Sequence, residues 1–232
     1  MSRSINIASK LWFNNQRFST KMEGIWKRIE TWMSLNAQPI HETLRPGATD
    51  SEIAQLEDLL SVRFPEDFKA LYRLCNGQSE CRGGMFDGGV EFLSLDRIRQ
   101  EWSVWKELLD DGDLENDTCE SEPAPGLERL SIGLIQDGDK CKKEEACRSV
   151  WWSPKWIPFT YDGAGNHYCI DLDPASRGTE GRIITMWHDC GDRDVVAPSI
   201  KVLLEEYAER LESGKLVFDE DCDGLYPVDE LI

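Results

Sequence analysis

Two histidine–cysteine pairs carry the spacing that nucleophilic chemistry needs. His167-x-Cys169 and His188-x-Cys190 place an imidazole two residues from a thiol. In a strand, residues two apart point to one face, so each imidazole can touch its cysteine. A thiolate nucleophile needs such a base together with access to solvent. No Gly-x-Ser-x-Gly elbow or cysteine-hydrolase signature accompanies them, and a strand-end histidine beside a buried cysteine gives the same pattern. Cys141 and Cys147, taken with His188 and Cys190, make a possible zinc set. Their spacing departs from the Cys-x2–4-Cys knuckles of structural zinc sites. We therefore assign no catalytic residue, no metal and no cofactor.

A third pattern lies near the C-terminal end. Asp219, Asp221, Asp223, Gly224 and Glu230 fit the calcium-loop spacing D-x-D-x-D-G-x5-E, in which alternate acids supply oxygens and the last glutamate binds through both. Pro227 stands where a second helix should begin, and an acidic solvated tail is the competing reading. Phosphate binding through a P-loop is excluded, because Gly83-Gly84 and Gly88-Gly89 are not followed by Lys-Ser/Thr. Nine tryptophans are unusual. Trp151 and Trp152 are adjacent, so in extended chain they point oppositely, and Trp151 is the candidate surface anchor.

The elements that position these residues are legible in stretches. Thr49 and Glu52 have capping-box spacing, followed by Ile53, Leu56 and Leu60 on one helical face. Phe64-Pro65 predicts a restart with proline in the first turn, and Phe68, Leu71, Tyr72 and Cys75 form the next apolar stripe. Asn76-Gly77 is expected to stop that helix. A first helix carries Ile25, Ile29, Trp32 and Met33, with Thr20-x-x-Glu23 as its expected start. Glu91-Phe-Leu-Ser predicts a short strand. A helix then carries Leu95, Ile98, Trp102, Trp105 and Leu109. Strands are expected at Leu130–Ile135, near Trp151–Phe159, at His167–Leu172 and at Arg182–Trp187, with Gly163-Ala-Gly165 as a hairpin turn. A last helix opens at Pro198-Ser199 and closes at Gly214. Helices flanking a mainly antiparallel sheet make this an α+β fold.

The ordered series resembles the SUKH superfamily. The similar segments are Leu44–Gly77, Gly84–Asp96, Trp156-Ile-Pro-Phe, Asp162-Gly-Ala-Gly-Asn, Tyr168–Asp173 and Gly181–Asp189. The resemblance covers roughly Trp26 to Leu216. It implies a single helix-flanked sheet domain that works as a protein-interaction module and not as an enzyme. The superfamily groups yeast cell-wall-assembly regulators with bacterial immunity proteins that neutralise toxins. Three features depart from its pattern: Cys75 before Asn-Gly, a longer segment from Asp110 to Val150, and the first 21 residues. The expected division is therefore a poorly ordered extension at 1–21, a SUKH-like domain at 22–216 with an acidic insertion near 110–150, and an acidic tail at 217–232.

Bulk properties narrow the partners. Of 232 residues, 44 are acidic and 26 basic, a net charge of −18 that repels nucleic-acid phosphates and favours a cationic companion. From Asp110 to Glu122 there are seven acids and no base. No apolar run is long enough to span a membrane. Eight irregularly spaced cysteines without a secretory signal point to a reducing cytoplasm. Arg3, Lys10, Arg17 and Lys21 occur with no acid in the first 21 residues, a composition shared with transit segments. The expectation is a non-enzymatic protein-binding module, first of the immunity type facing a basic toxin domain. Asp110, Asp111, Asp113, Trp151, Asp189, Asp192 and Asp194 form its expected contact surface. A regulatory scaffold of cell-wall (glucan) synthesis and signalling is the alternative, and a cysteine- or metal-dependent enzyme the third reading. The sequence sets no oligomeric state.

Overall fold

The structure, a computed structural model, describes residues 7–79, 83–114, 147–148, 150–191 and 193–231, with side chains from residue 20 onward and Glu230 excepted. The expected strand at Leu130–Ile135, Cys141, Asp192 and the acidic block beyond Leu114 lie outside these residues.

Helix α1 runs Ile7–Asn36 and a short α2 follows at Gln38–His41. Because α1 is already helical at Ile7, Thr20 and Glu23 lie in its interior, which corrects the expected start. A capping box acts only where the preceding chain is non-helical. The α1 stripe of Met22, Ile25, Trp26, Ile29 and Met33 is buried against the core.

Strand β1 (Leu44–Pro46) leads into α3 (Asp50–Leu60). The capping box at Thr49 is complete: the hydroxyl accepts the Glu52 N–H at 3.2 Å, and the Glu52 carboxylate accepts the Thr49 N–H at 2.7 Å. Thr49→Ala should cost about 1 kcal/mol of stability in urea denaturation, because one helical N–H then loses its acceptor. Helix α4 spans Glu66–Leu74, with Pro65 just outside as its N-cap.

The expected stop at Asn76-Gly77 is corrected. The helix ends at Leu74, and Cys75 is already extended (φ −147°, ψ 124°) as the first residue of β2 (Cys75–Gln78). Gly77 (φ +69°) serves a close approach instead. A Cβ there would lie 2.3 Å from the Ser94 nitrogen. This lets the Asn76 Oδ1 accept the Leu95 N–H at 2.9 Å, so the Asn-Gly pair ties β2 to the start of α5.

Strand β3 (Glu91–Phe92) and helix α5 (Leu95–Asp110) follow, α5 being capped by the Ser94 hydroxyl. Next come β4 (Trp156–Pro158), β5 (Thr160–Tyr161), β6 (His167–Asp171), β7 (Arg182–Met186) and β8 (Val195–Ala197). The strand expected from Trp151 begins only at Trp156. Asp162 closes the Gly163–Gly165 turn: its carboxylate accepts the Ala164 and Asn166 N–H groups at 2.7 and 3.0 Å. Helix α6 (Ile200–Glu212), capped by Ser199, precedes a hairpin of β9 (Leu216–Asp219) and β10 (Gly224–Pro227).

The central sheet has the order β4-β6-β7-β8, antiparallel throughout. Every residue of β6 and β7 is buried, so both faces are covered. Period-two alternation divides the side chains. Tyr168, Ile170 and Ile183 join the main core with α1, α4 and α6, while Cys169, Ile184, Met186 and Trp156 meet Trp105 and Trp152 on the other face. Among the described residues this is an α+β domain of helices around antiparallel sheets, as the sequence pattern predicts.

Candidate docking pole on the second sheet face

The second sheet face is built from residues that alternation turns away from the main core. Asp171 and Arg182 are register partners across β6 and β7. The Arg182 Nε and Nη2 both donate to Asp171 Oδ2, at 3.0 and 2.9 Å. Asp171 Oδ1 accepts the Trp156 indole N–H at 3.1 Å and the Asp173 N–H at 2.9 Å. Both carboxylate oxygens are thus satisfied, which a buried charge requires. The Arg193 guanidinium lies 5.4 Å from the Trp156 ring centroid, a cation–π distance. It donates to the Cys190 carbonyl at 2.6 Å and to the Trp151 carbonyl, so one buried cation fastens two loops to the sheet.

Helix α5 closes the face. Trp105 is buried in the cluster, with Trp102, Leu108, Leu109, Leu114, Val150 and Trp151 partly buried against it. Trp102 donates to the Pro154 carbonyl at 2.8 Å and meets Trp152 edge-on at 6.1 Å. Trp152 is 1% exposed while Trp151 is half-buried, the opposite pointing expected for the adjacent pair.

The expected contact residues border this pole. Asp110 ends α5 and pairs with Lys106, Asp111 is the C-cap, and Asp113 is exposed in the turn held by its N–H to Leu108 O at 3.0 Å. They lie between Leu109 and Leu114, both packed on the tryptophan cluster. Asp189 is exposed and Asp194 half-buried, on either side of Arg193 and Cys190. Asp192 is outside the described residues. Sequence reasoning missed Arg193, Arg182, Asp171 and Trp156 as organisers of this surface. The available signal was Arg182 alternating with Ile184 and Met186 opposite Asp171.

Of the two histidine–cysteine pairs, His167 and Cys169 share β6 and its second face as expected, whereas His188 and Cys190 do not lie in a strand. His167 Nδ1 lies 2.7 Å from the Thr160 carbonyl, and its Nε2 lies 3.3 Å from the Trp105 indole nitrogen. Both ring nitrogens are committed, and burial pushes the imidazole down to about 4. Cys169 is fully buried and its thiol is pushed far up by desolvation, so it holds its proton. Burial likewise pushes Cys147 up to about 11. His188 and Cys190 lie beyond the end of β7 at Met186, so the same-face argument does not apply to them. The His188 ring instead meets Asn166 Oδ1 at 2.9 Å.

The calcium pattern falls on a hairpin. Asp219 ends β9, Gly224 begins β10, and Asp219 Oδ1 accepts the N–H groups of Asp221 and Cys222 at 2.9 and 2.8 Å. Strands flank the acids where a calcium loop has helices, because Val217, Phe218, Leu225 and Tyr226 pair across the hairpin. Among the described residues no three His, Cys, Asp or Glu side chains converge as a metal site. No helix among them is long and apolar enough to cross a membrane.

The sequence profile of the SMI1 / KNR4 family (SUKH-1) matches residues 47–206, from just before α3 to the middle of α6. The chain belongs to the SMI1/KNR4 family. Its similar relatives include the cell wall assembly regulator SMI1 of Saccharomyces cerevisiae, 26% identical over 219 residues that cover 88% of this chain and 43% of that protein. It is 27% identical to the glucan synthesis regulatory protein of Neurospora crassa, covering 86% of this chain and 40% of that protein. It is 29% identical to the cell wall biosynthesis/cell cycle regulator smi1 of Schizosaccharomyces pombe, covering 86% and 38%. The matches span about two-fifths of the length of these relatives. Their names describe regulators and not enzymes. In this SMI1/KNR4 domain the matched region contains the whole central sheet, α5 and the buried Asp171–Arg182 pair.

Proposed function

We propose that this SMI1/KNR4 domain is a non-enzymatic docking module of a cell-wall or glucan-synthesis regulator, and that its tryptophan-cored acidic pole is the docking surface. The observation that carries the reading is the pole itself. A half-buried Trp151 is held by Arg193 over a packed aromatic cluster, with Asp110, Asp111, Asp113, Asp189 and Asp194 along its rim. A large aromatic anchor inside a polar rim suits a protein interface. Rim acids act chiefly on the rate of encounter with a basic partner.

The relatives favour the regulator over toxin neutralisation, which reverses the order expected from the superfamily resemblance and the acidic charge. The toxin reading draws on the same net charge of −18, and the two part on the companion's identity. Affinity capture from the source cell with the wild-type chain and with an Asp110→Asn/Asp111→Asn/Asp113→Asn/Asp189→Asn variant separates them. Wall-synthesis or signalling proteins recovered by the wild type and depleted by the variant support the regulator. A basic nuclease or deaminase in their place replaces it with the immunity reading. With the captured partner, the variant's association rate should fall about tenfold at low salt and converge with wild type at high salt. Equal rates at low salt would remove the acids from the docking step.

A further inference from the structure

We infer that the cleft between α3, β1–β2 and the start of α5 binds a phosphate group carried on a protein segment. The cleft measures about 220 Å³; Arg45, Arg99, Asn76, Gln55, Glu52 and Asp96 are its polar lining, and Leu56, Leu59 and Leu95 its apolar lining. Its donors follow from an accounting of the first turn of α5. Of the N–H groups that the first turn leaves without helical partners, Leu95 donates to Asn76 Oδ1 and Arg97 to the Ser94 hydroxyl, while Ile98 makes the first helical bond to the Ser94 carbonyl. The Asp96 N–H remains. The Asn76 side chain is nine-tenths buried and lines the cleft. Its Oδ1 is fixed by Leu95, which turns the Nδ2 donors away from that bond, and they meet no acceptor among the described residues. Neither Arg45 nor Arg99 approaches a described carboxylate within 4.0 Å, although Arg45 is near enough to Glu52 for its charge to help hold that carboxyl down, after the Thr49 hydrogen bonds.

Two carboxylates, Glu52 and Asp96, also line the cleft. Glu52 is engaged: its Oε2 accepts both the N–H and the hydroxyl of Thr49, at 2.7 Å each. Asp96 is exposed and opposes any incoming anion. Two guanidinium forks, one backbone N–H and a carboxamide offer more donors than the two oxygens of a carboxylate use, whereas a phosphate monoester presents three oxygens and nearly two charges. Leu59, 52% exposed above the buried Leu56 and Leu95, is an apolar ledge for the residue beside the phosphate. The net charge of −18 repels polyanions such as nucleic acid or an anionic bilayer, so the phosphate must come singly on an otherwise neutral or basic segment. This inference does not depend on the acidic pole.

Nitrogen-15 NMR of the full chain tests it, first with inorganic phosphate and then with a phosphoserine-leucine peptide, its glutamate analogue and its unphosphorylated form. The Asp96 amide and the Asn76 side-chain NH2 should shift with phosphate, and should saturate at a concentration at least tenfold lower with the phosphopeptide. Arg99→Ala, at an exposed position, should weaken the phosphopeptide at least tenfold, and Asp96→Asn should tighten it several-fold. The four-fold pole variant should leave its affinity unchanged, which separates failure here from failure of the docking surface. Unmoved Asp96 and Asn76 signals, equal binding of the glutamate peptide, or binding of anionic vesicles in preference to the peptide would each overturn it.

Discussion

Arg182→Met should destabilise the domain by about 3–5 kcal/mol, because it removes the counter-charge of a carboxylate with no route to water. Asp171 and Arg182 are 0% and 5% exposed at their side chains, with a 2.9 Å contact. Removing the arginine leaves Asp171 with only the Trp156 indole and the Asp173 amide. Neither neutralises its charge. Methionine preserves most of the volume, so the loss is electrostatic and not a cavity. The control is Arg182→Met combined with Asp171→Asn, which removes the stranded charge and should recover more than half the loss in urea denaturation. Equal midpoints for the single and double variants would mean that packing, and not the ion pair, holds β6 to β7. The pair also bears on function, since Trp156 links Asp171 on one side to Arg193 on the other. A weakened pair should loosen the loop that carries Trp151.

Local signals in the chain were dependable where the chemistry is local. The Thr49–Glu52 box, the helix opening at Ser199 and the apolar stripe of Ile53, Leu56 and Leu60 need only neighbours within a turn or two, and each appears as its spacing predicts. Alternation in β6 and β7 was visible as strands, yet it did not reveal that both faces are covered. That depends on α5 arriving from upstream to place Trp105 on His167, 62 residues further along the chain. Asn76-Gly77 misled for the same reason. An Asn-Gly pair after a helical stripe is a sound stop signal, but here tertiary pairing of β2 with β1 claims the chain first. The acids at 219, 221 and 223 matched a metal loop by spacing alone. Whether such a loop bends between helices or strands is decided by cross-strand partners such as Val217 and Tyr226. The acidic rim was legible as composition. The arginine that organises it was not, because Arg193 lies between acids in sequence and its stacking partner Trp156 is distant along the chain.

His167 should make the domain acid-sensitive by about 3 kcal/mol between pH 6.5 and 4. The Thr160 carbonyl accepts from Nδ1, which leaves the Nε2 lone pair to accept the Trp105 indole N–H. That neutral tautomer satisfies both nitrogens. Protonation places a second N–H opposite the indole donor, inside an apolar cluster. Burial is the main cause of the depressed value of about 4; the Thr160 hydrogen bond and the Asp162 charge oppose it, and Arg97 presses the same way as burial. Glu101 lies 3.9 Å from Nε2, but it pairs with Arg97, and burial raises its own carboxyl. With the folded value below the ordinary 6.5, the unfolded chain binds the proton first. The stabilising contribution is therefore complete above pH 6.5, falls as pH drops, and is gone below about 4. Carboxylates titrate in the same range, so the measurement is the difference between wild type and His167→Gln, whose amide can donate to Thr160 and accept from Trp105 without titrating. Wild type should lose about 3 kcal/mol more than the variant between pH 7 and pH 4 in urea unfolding, with tryptophan fluorescence reporting release of α5. Parallel pH profiles would remove His167 from the balance. A histidine held neutral in this way is a latch between α5 and the sheet, and the one contact that makes it a latch, the Trp105 indole on Nε2, also removes the lone pair that a general base would need.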